Sequence, residues 1–263
     1  MLGAIIGDVV GSLYEFSSDK TKQFELLTPS CHLTDDSLMT IAVGCACVTS
    51  DIGDRESFQL TLCRLMRELG NMYPDAGYGR GFYEWLTDEG AEAYNSYGNG
   101  SAMRVSPVAW VSSSLEEAQR LARWSAEVTH NHPEGIKGAE AIATCIFLAK
   151  QGKEKGEIRE YIDTNYYPMD FTLDEIRPSY RFDVTCQGSV PQGIMCFLES
   201  TDFEDAIRNA VSLGGDGDTI AAMAGAIAEA YYGIPSELEE QIFDYMDDDV
   251  IDYYNTYADE LYG

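Results

Sequence analysis

The sequence predicts an all-α protein, one multi-helix domain spanning residues 1–263. Three observations carry this. Apolar residues recur at three- and four-residue spacing over long stretches. Runs of alternating β-branched residues are short and few. No βαβ rhythm and no internal repeat is visible.

The helical period is clearest over residues 2–15, 36–50, 55–70, 115–127, 134–150, 203–213 and 219–232. In the first of these, Gly3, Gly7 and Gly11 fall on one face, which lets another backbone approach closely. Asp8, Ser12 and Glu15 form a neighbouring polar stripe on a helix otherwise rich in apolar residues, as expected of a helix lining a buried polar site. Glu15 is followed by a polar stretch, residues 17–22, with the composition of a flap. Turn chemistry separates the elements at Tyr73-Pro74-Asp75, Gly98-Asn99-Gly100 and Gly214-Gly215. Gly152–Gly156 reads as an exposed turn rather than a linker, and Asp247-Asp248-Asp249 as a solvated surface.

Composition narrows the function. The chain has 263 residues, 45% hydrophobic and 24% charged, as in an ordinary globular protein. With 45 acidic and 17 basic residues, the formal charge is −28. Such a surface repels a phosphate backbone, which argues against broad nucleic-acid binding. Any anionic substrate needs local neutralisation, by divalent cations or helix N-termini. No apolar stretch reaches the roughly 18 residues that a membrane span needs. Asp8 interrupts the apolar opening and no basic residues precede it, so it does not read as a signal peptide. A cytoplasmic location is therefore expected. The seven cysteines are odd in number and several lie in apolar helical runs, which points to reduced, buried thiols.

Two acidic clusters carry the chemistry. Thr34-Asp35-Asp36-Ser37 precedes the apolar run from Leu38 to Val48, and Gly214-Gly215-Asp216-Gly217-Asp218-Thr219 precedes Ile220 to Tyr232. Helix capping needs one such side chain. Each cluster instead supplies two carboxylates and a hydroxyl, and adjacent carboxylates repel unless a cation lies between them. All-oxygen donors suit magnesium, manganese or calcium rather than zinc. The second cluster is not an EF-hand loop, because its twelfth position is Ile227. Capping and metal binding both remain open on these residues alone. Ser96 to Arg104 forms a glycine-rich turn entering a helix, a possible phosphate cradle or an ordinary tight turn. Thr129-His130-Asn131-His132-Pro133 holds two of the three histidines without a cysteine cluster. That favours a pocket role for His130 and a loop-structuring role for His132 over a zinc site.

Read together, GDVVGSLYE (Gly7 to Glu15), TDDS (Thr34 to Ser37), SYGNGSAMR (Ser96 to Arg104), THNHPEGIKGA (Thr129 to Ala139), SVPQGI (Ser189 to Ile194) and GGDGDT (Gly214 to Thr219) resemble the ADP-ribosylglycohydrolase family in the same order. The resemblance implies a compact all-α orthogonal bundle with a cleft for two magnesium or manganese ions. It maps the metal ligands onto Thr34, Asp35, Asp36, Asp216, Asp218 and Thr219, and the catalytic glutamate onto Glu15. Substrate contacts map onto Ser96, Tyr97, Gly98, Asn99 and His130. The implied partner is an ADP-ribosylated protein or a small-molecule ADP-ribose conjugate. Gly217 departs from the pattern, in which Thr, Ser or Cys is common, and this puts the stiffness of that loop in question.

The implied reaction breaks the bond at the anomeric carbon of the distal ribose through an oxocarbenium-like transition state. The expected arrangement has the metal pair gripping the ribose hydroxyls and Glu15 in proton transfer. A non-catalytic ADP-ribose or nucleotide-binding module, a crystallin-like structural protein on the same fold and a structural calcium-binding protein are the rival readings. The presence of both acidic pairs and Glu15 favours the hydrolase.

Overall fold

The computed structural model describes residues 1–15 and 20–262. Residues 17–19 of the expected flap lie outside the described residues. The helices, in chain order, are α1 (Leu2–Gly11), α2 (Asp35–Thr49), α3 (Arg55–Met72), α4 (Arg80–Thr87), α5 (Gly100–Met103), α6 (Ser106–Val111), α7 (Leu115–Glu127) and α8 (Pro133–Lys150). They continue as α9 (Lys155–Asn165), α10 (Leu173–Ile176), α11 (Cys186–Leu198), α12 (Phe203–Leu213), α13 (Gly217–Tyr232), α14 (Ser236–Gln241) and α15 (Asp248–Tyr262), with a 3₁₀ turn at Ile242–Tyr245. Among the described residues the only β-type pairing is an isolated antiparallel bridge, Gly98 to Thr185.

The centre of the bundle is the contact between α1 and α13. Every residue of α1 is buried. The glycine face permits this: a Cβ on Gly7 would stand 2.1 Å from the Ala221 carbonyl oxygen, and one on Gly3 would stand 2.4 Å from that of Gly225. Gly225 returns the contact, 2.2 Å from the Gly3 carbonyl oxygen. Glu229 closes the far end, accepting the Gly3 N–H at 2.9 Å. Around this pair, α13 also packs on α12, α11 and α8, while α2 packs on α3, α6 and α15. One hydrophobic cluster runs through all of them.

All seven expected helical segments are present, and residues 115–127 and 203–213 have the expected bounds. Side-chain caps set several starts: Asp54 accepts the N–H groups of Glu56 and Ser57, Ser114 that of Glu117, and Asp202 that of Asp205. The first helix is shorter than expected. It ends at Gly11, and a turn carries Tyr14 and Glu15 over the start of α13. Helices α9, α11 and α15 lie outside the expected segments. Pro191 lies inside α11, buried, and removes one helical donor. The turn at Gly152 is exposed with φ +72°, but Lys155 and Gly156 already belong to α9. Lys155 Nζ donates to the carbonyls at the end of α11, including Phe197 at 2.8 Å. The 247–249 aspartates are exposed, yet Asp247 also accepts the Tyr73 hydroxyl at 2.7 Å and the Val250 N–H at 3.0 Å. The cysteines are unpaired, all buried except the partly buried Cys63.

Gly7→Ala forces a methyl group into the Ala221 backbone and is expected to cost about 3 kcal/mol or more. Gly156→Ala, on an exposed helical position with nothing within 4 Å, is expected to gain about 0.5 kcal/mol. Denaturant unfolding of the two variants checks the pair; equal stabilities would show that the α1–α13 contact is not close.

Candidate active site and metal centre

The α1–α13 contact delivers acidic side chains to one place. A Cβ on Gly11 would lie 2.3 Å from the Cα of Asp218, so the end of α1 abuts the start of α13. One turn earlier, Asp8 is wholly buried. Its carboxylate accepts the Thr34 N–H (3.0 Å), the Thr34 hydroxyl (2.7 Å), the Ser37 N–H (3.1 Å) and the Ser37 hydroxyl. Asp8 thereby fixes the TDDS segment at the N-terminus of α2. Ser12, next on the stripe, accepts the His32 N–H at 3.2 Å. The α12–α13 turn is made by Gly214 (φ +63°) and Gly215 (φ +81°), successive left-handed residues that presuppose glycine. A Cβ on Gly217 would stand 3.3 Å from the Tyr14 carbonyl oxygen, so the smallest side chain suits the turn that brings in Glu15.

The carboxylates converge as two triads. Oxygens of Asp8, Asp36 and Asp218 lie within 4.8 Å of one another, and so do oxygens of Glu15, Asp216 and Asp218. Asp218 is common to both. Thr219 Oγ1 donates to Asp36 Oδ2 at 3.1 Å, and Asn99 Nδ2 to Asp216 Oδ2 at 2.7 Å. Asp36 Oδ1 is buried with no hydrogen-bond partner. Burial, and then the neighbouring carboxylates, raise these acids: Asp8 to about 6, Glu15 to about 7, Asp35 to about 8, and Asp36 and Asp216 well above their usual range. Shared acids that form no ion pair among the described residues, and an orphaned carboxylate oxygen, fit a divalent cation, which would supply positive charge.

The triad carboxylates other than the wholly buried Asp8 line a cleft of about 320 Å³, within the range of small-molecule sites. Its lining takes in Glu15, Asp35, Asp36, Asp216, Asp218 and Thr219, and on the other side Ser96, Gly98, Asn99, Gly100 and His130. The glycine-rich turn is clamped from behind: Asn99 N–H donates to the Val184 carbonyl at 2.8 Å and the Cys186 thiol to that of Gly98 at 3.1 Å. Thr34 and Tyr97 are not among the lining residues. The Thr34 hydroxyl is turned to Asp8, while Tyr97 is 49% exposed with its ring 5.3 Å from that of His132. His132 itself caps α8, its Nδ1 accepting the Glu134 N–H at 3.1 Å. Asp35 lines the cleft but belongs to neither triad.

Sequence reasoning left several residues out of the site. Asp8 carried a signal, as the one charge in a glycine-faced apolar helix. Phe82, Tyr94, Arg104, Phe182 and Val184 also line the cleft. Arg104 ends the glycine-rich segment already singled out, whereas Phe82, Tyr94, Phe182 and Val184 come from elements that no local pattern marks.

The sequence profile described as ADP-ribosylglycohydrolase matches residues 1–263. The chain belongs to the ADP-ribosylglycohydrolase family. It is an ADP-ribosylhydrolase, an enzyme of a metal-dependent family. ADP-ribosylhydrolase ARH3 of Homo sapiens is 27% identical over 95% of this chain and 90% of its own length. ADP-ribosylarginine hydrolase Tri1 of Pseudomonas putida (strain GB-1) is 26% identical over 92% of this chain and 72% of its own. ADP-ribosyl-[dinitrogen reductase] glycohydrolase of Rhodospirillum rubrum is 28% identical over 89% and 84%. A solved ADP-ribosylglycohydrolase-related protein complex shares the all-α fold, with a TM-score of 0.71 at 23% identity over 99% of this chain and 94% of that one. No helix of the enzyme is long and apolar enough to cross a membrane among the described residues.

The raised acids make the metal-free enzyme pH-sensitive. An acid whose folded pKa lies above its unfolded value favours the folded state when protonated, so stability falls as pH rises through the folded value. The loss runs from the ordinary carboxylate range up to the folded values, so with Glu15 at about 7 and Asp35 at about 8 its upper part falls between pH 6 and 8. His130, held neutral by burial and by Arg104, acts in the opposite sense, mainly below about pH 6.5. The melting temperature of the chelator-treated enzyme is expected to drop from pH 6 to pH 8. Added magnesium or manganese should raise it more at pH 8 than at pH 6. A melting temperature that climbs over this range, with no metal effect, would contradict the assignment.

Proposed function

We propose that one catalytic domain, residues 1–263, removes ADP-ribose from a modified protein side chain or a small-molecule conjugate, with two magnesium or manganese ions as cofactors. The two carboxylate triads sharing Asp218, beside a glycine-rich turn in the same cleft, carry this reading. Asp36, Asp216 and Asp218 would hold the cations, with Asp35 and Thr219 beside them in the cleft wall and Thr34, whose hydroxyl is turned to Asp8, at the edge of the ligand set. Bound there, the cations supply charge neutralisation and Lewis acidity toward sugar hydroxyls and water.

The chain's own residues do the rest. Ser96, Gly98, Asn99 and His130 lie along the stretch of cleft where a diphosphate would sit, and the exposed Tyr97 in the same turn offers a ring face to the adenosine. Asn99 also orients the Asp216 carboxylate through its side-chain amide. Glu15, reaching the cleft from the turn after α1, transfers a proton to the leaving group or from the attacking water. Its proximity to Asp216 and Asp218 offers a second role as a ligand, and one substitution separates the two. The relatives named for arginine and dinitrogen reductase support a protein-linked substrate. The unpaired cysteines support a reducing, cytoplasmic compartment.

Hydrolysis of arginine-, serine- and cysteine-linked ADP-ribose with magnesium or manganese tests the activity and identifies the linkage. Asp36→Ala and Asp218→Ala should each lower turnover by more than about a hundredfold and weaken metal binding in calorimetry. Unchanged metal binding in both would refute the metal assignment. Glu15→Gln keeps size and polarity but cannot exchange a proton. It should lose at least about a hundredfold in kcat with metal affinity nearly intact. A comparable loss of metal affinity would instead make Glu15 a ligand.

A further inference from the structure

One cation is buried in the cleft wall. Arg104 is 1% exposed, and its guanidinium donates through Nη2 to the Ser125 carbonyl at 3.1 Å and to Thr129 Oγ1 at 2.9 Å. Its Nε–H has no partner, and among the described residues no carboxylate forms an ion pair with it. Thr129 is wholly buried, and its Oγ1 lies 2.7 Å from His130 Nδ1. The other ring nitrogen faces the glycine-rich turn. A Cβ on Gly100 would stand 3.1 Å from His130 Nε2, and one on Gly98 would stand 3.6 Å away.

Proton counting settles the direction of these bonds. A threonine hydroxyl has one proton and two lone pairs. Arg104 can only donate, so it occupies a lone pair of Thr129. The hydroxyl proton, shut off from water, needs an acceptor, and the one within hydrogen-bond range among the described residues is His130 Nδ1. A ring nitrogen that accepts carries no proton, so a neutral ring must carry its proton on Nε2.

We infer that Arg104 and Thr129 form a relay that fixes His130 as the Nε2–H tautomer and so gives the cleft a built-in hydrogen-bond donor at the glycine-rich turn, directed at an oxygen of the bound ADP-ribosyl group. Arg104 and Thr129 are positioning residues. The buried guanidinium one residue beyond the threonine also disfavours a second proton on the ring, as does burial. The opposite tautomer would present a lone pair to phosphate and hydroxyl oxygens and weaken their binding. Only the identity of the ligand rests on the function proposed above; the tautomer is a property of the chain.

Long-range ¹H–¹⁵N correlation spectra of the ¹⁵N-histidine-labelled enzyme test this, with His130 assigned by the loss of its signals in His130→Gln. Between pH 6 and 8 the wild type should show an unprotonated Nδ1 and a protonated Nε2. Thr129→Ser keeps the hydroxyl and should keep that pattern, with ADP-ribose affinity within about twofold. Thr129→Val and Arg104→Lys should lose the fixed tautomer, and Thr129→Val should weaken ADP-ribose binding about tenfold in calorimetry. A wild-type ring protonated on Nδ1, or on both nitrogens at pH 7, overturns the relay whatever the variants do. So does Thr129→Val with tautomer and affinity unchanged. If the expected tautomer is found but ADP-ribose does not bind the wild type, the relay stands and the ligand assignment fails.

Discussion

The backbone contact between α1 and α13 is the constraint on which the site depends. Gly3, Gly7 and Gly11 let α1 lie against α13 so closely that no side chain fits between them. That contact sets the distance from Asp8 to Asp218 and brings the turn that carries Glu15 against the start of α13. Asp8 then extends the order outward: four donors from Thr34 and Ser37 converge on its carboxylate and hold the start of α2 in place. Three segments far apart in sequence thus present their acids at one point through main-chain packing and one buried carboxylate. Rigid helix ends suit a metal centre, because ligand geometry must be held to fractions of an ångström.

Packing that many acids together without cations is costly. All triad members but the partly buried Glu15 are buried, and burial pushes every one of them toward its protonated form, with neighbouring carboxylates adding to this at Asp8, Glu15, Asp36 and Asp216. A protein of net charge −28 has no general positive field to offset this, and the wall of the cleft keeps only one buried guanidinium. The division of charge is informative. Negative side chains gather where divalent cations are proposed, and neutral polar groups gather where the diphosphate is proposed: the Ser96 hydroxyl, the Asn99 amide and the His130 ring. A diphosphate can be bound this way without lysines, since pre-oriented N–H dipoles cost little desolvation. The same distribution explains how a strongly acidic protein can receive an anionic ligand.

The parts of this arrangement legible in the sequence are those with local signatures. Helical period found seven of the helical segments, the α1 glycine spacing found the close approach, and hydroxyl-carboxylate clusters before apolar runs found both triad-bearing helix starts. What was missed lacked a local signature. Helix α11 is masked by Pro191 and its flanking glycines, and is made helical by burial on several sides. The end of α1 was overrun because periodicity continues through Leu13, whereas the tertiary need to turn Glu15 into the cleft stops the helix at Gly11. Tyr97 shows the limit of motif reading. The aromatic lies in the expected turn, but it does not line the cleft and its ring lies beside that of His132.

Glu15 and the triads differ in how they are held, and this bears on their division of labour. Asp36, Asp216 and Asp218 sit in the first turns of long helices or at their caps, buried, with Thr219 and Asn99 bonded to two of them. Glu15 stands on a short turn beyond the last residue of α1 and is only partly buried. Ligands for cations gain from immobility, since any spread in their positions lowers affinity. A group that passes a proton must instead follow an oxygen whose position changes along the reaction, and a side chain on a short turn has that freedom. The chain places its least constrained acid where movement is useful, and its most constrained acids where movement would be harmful.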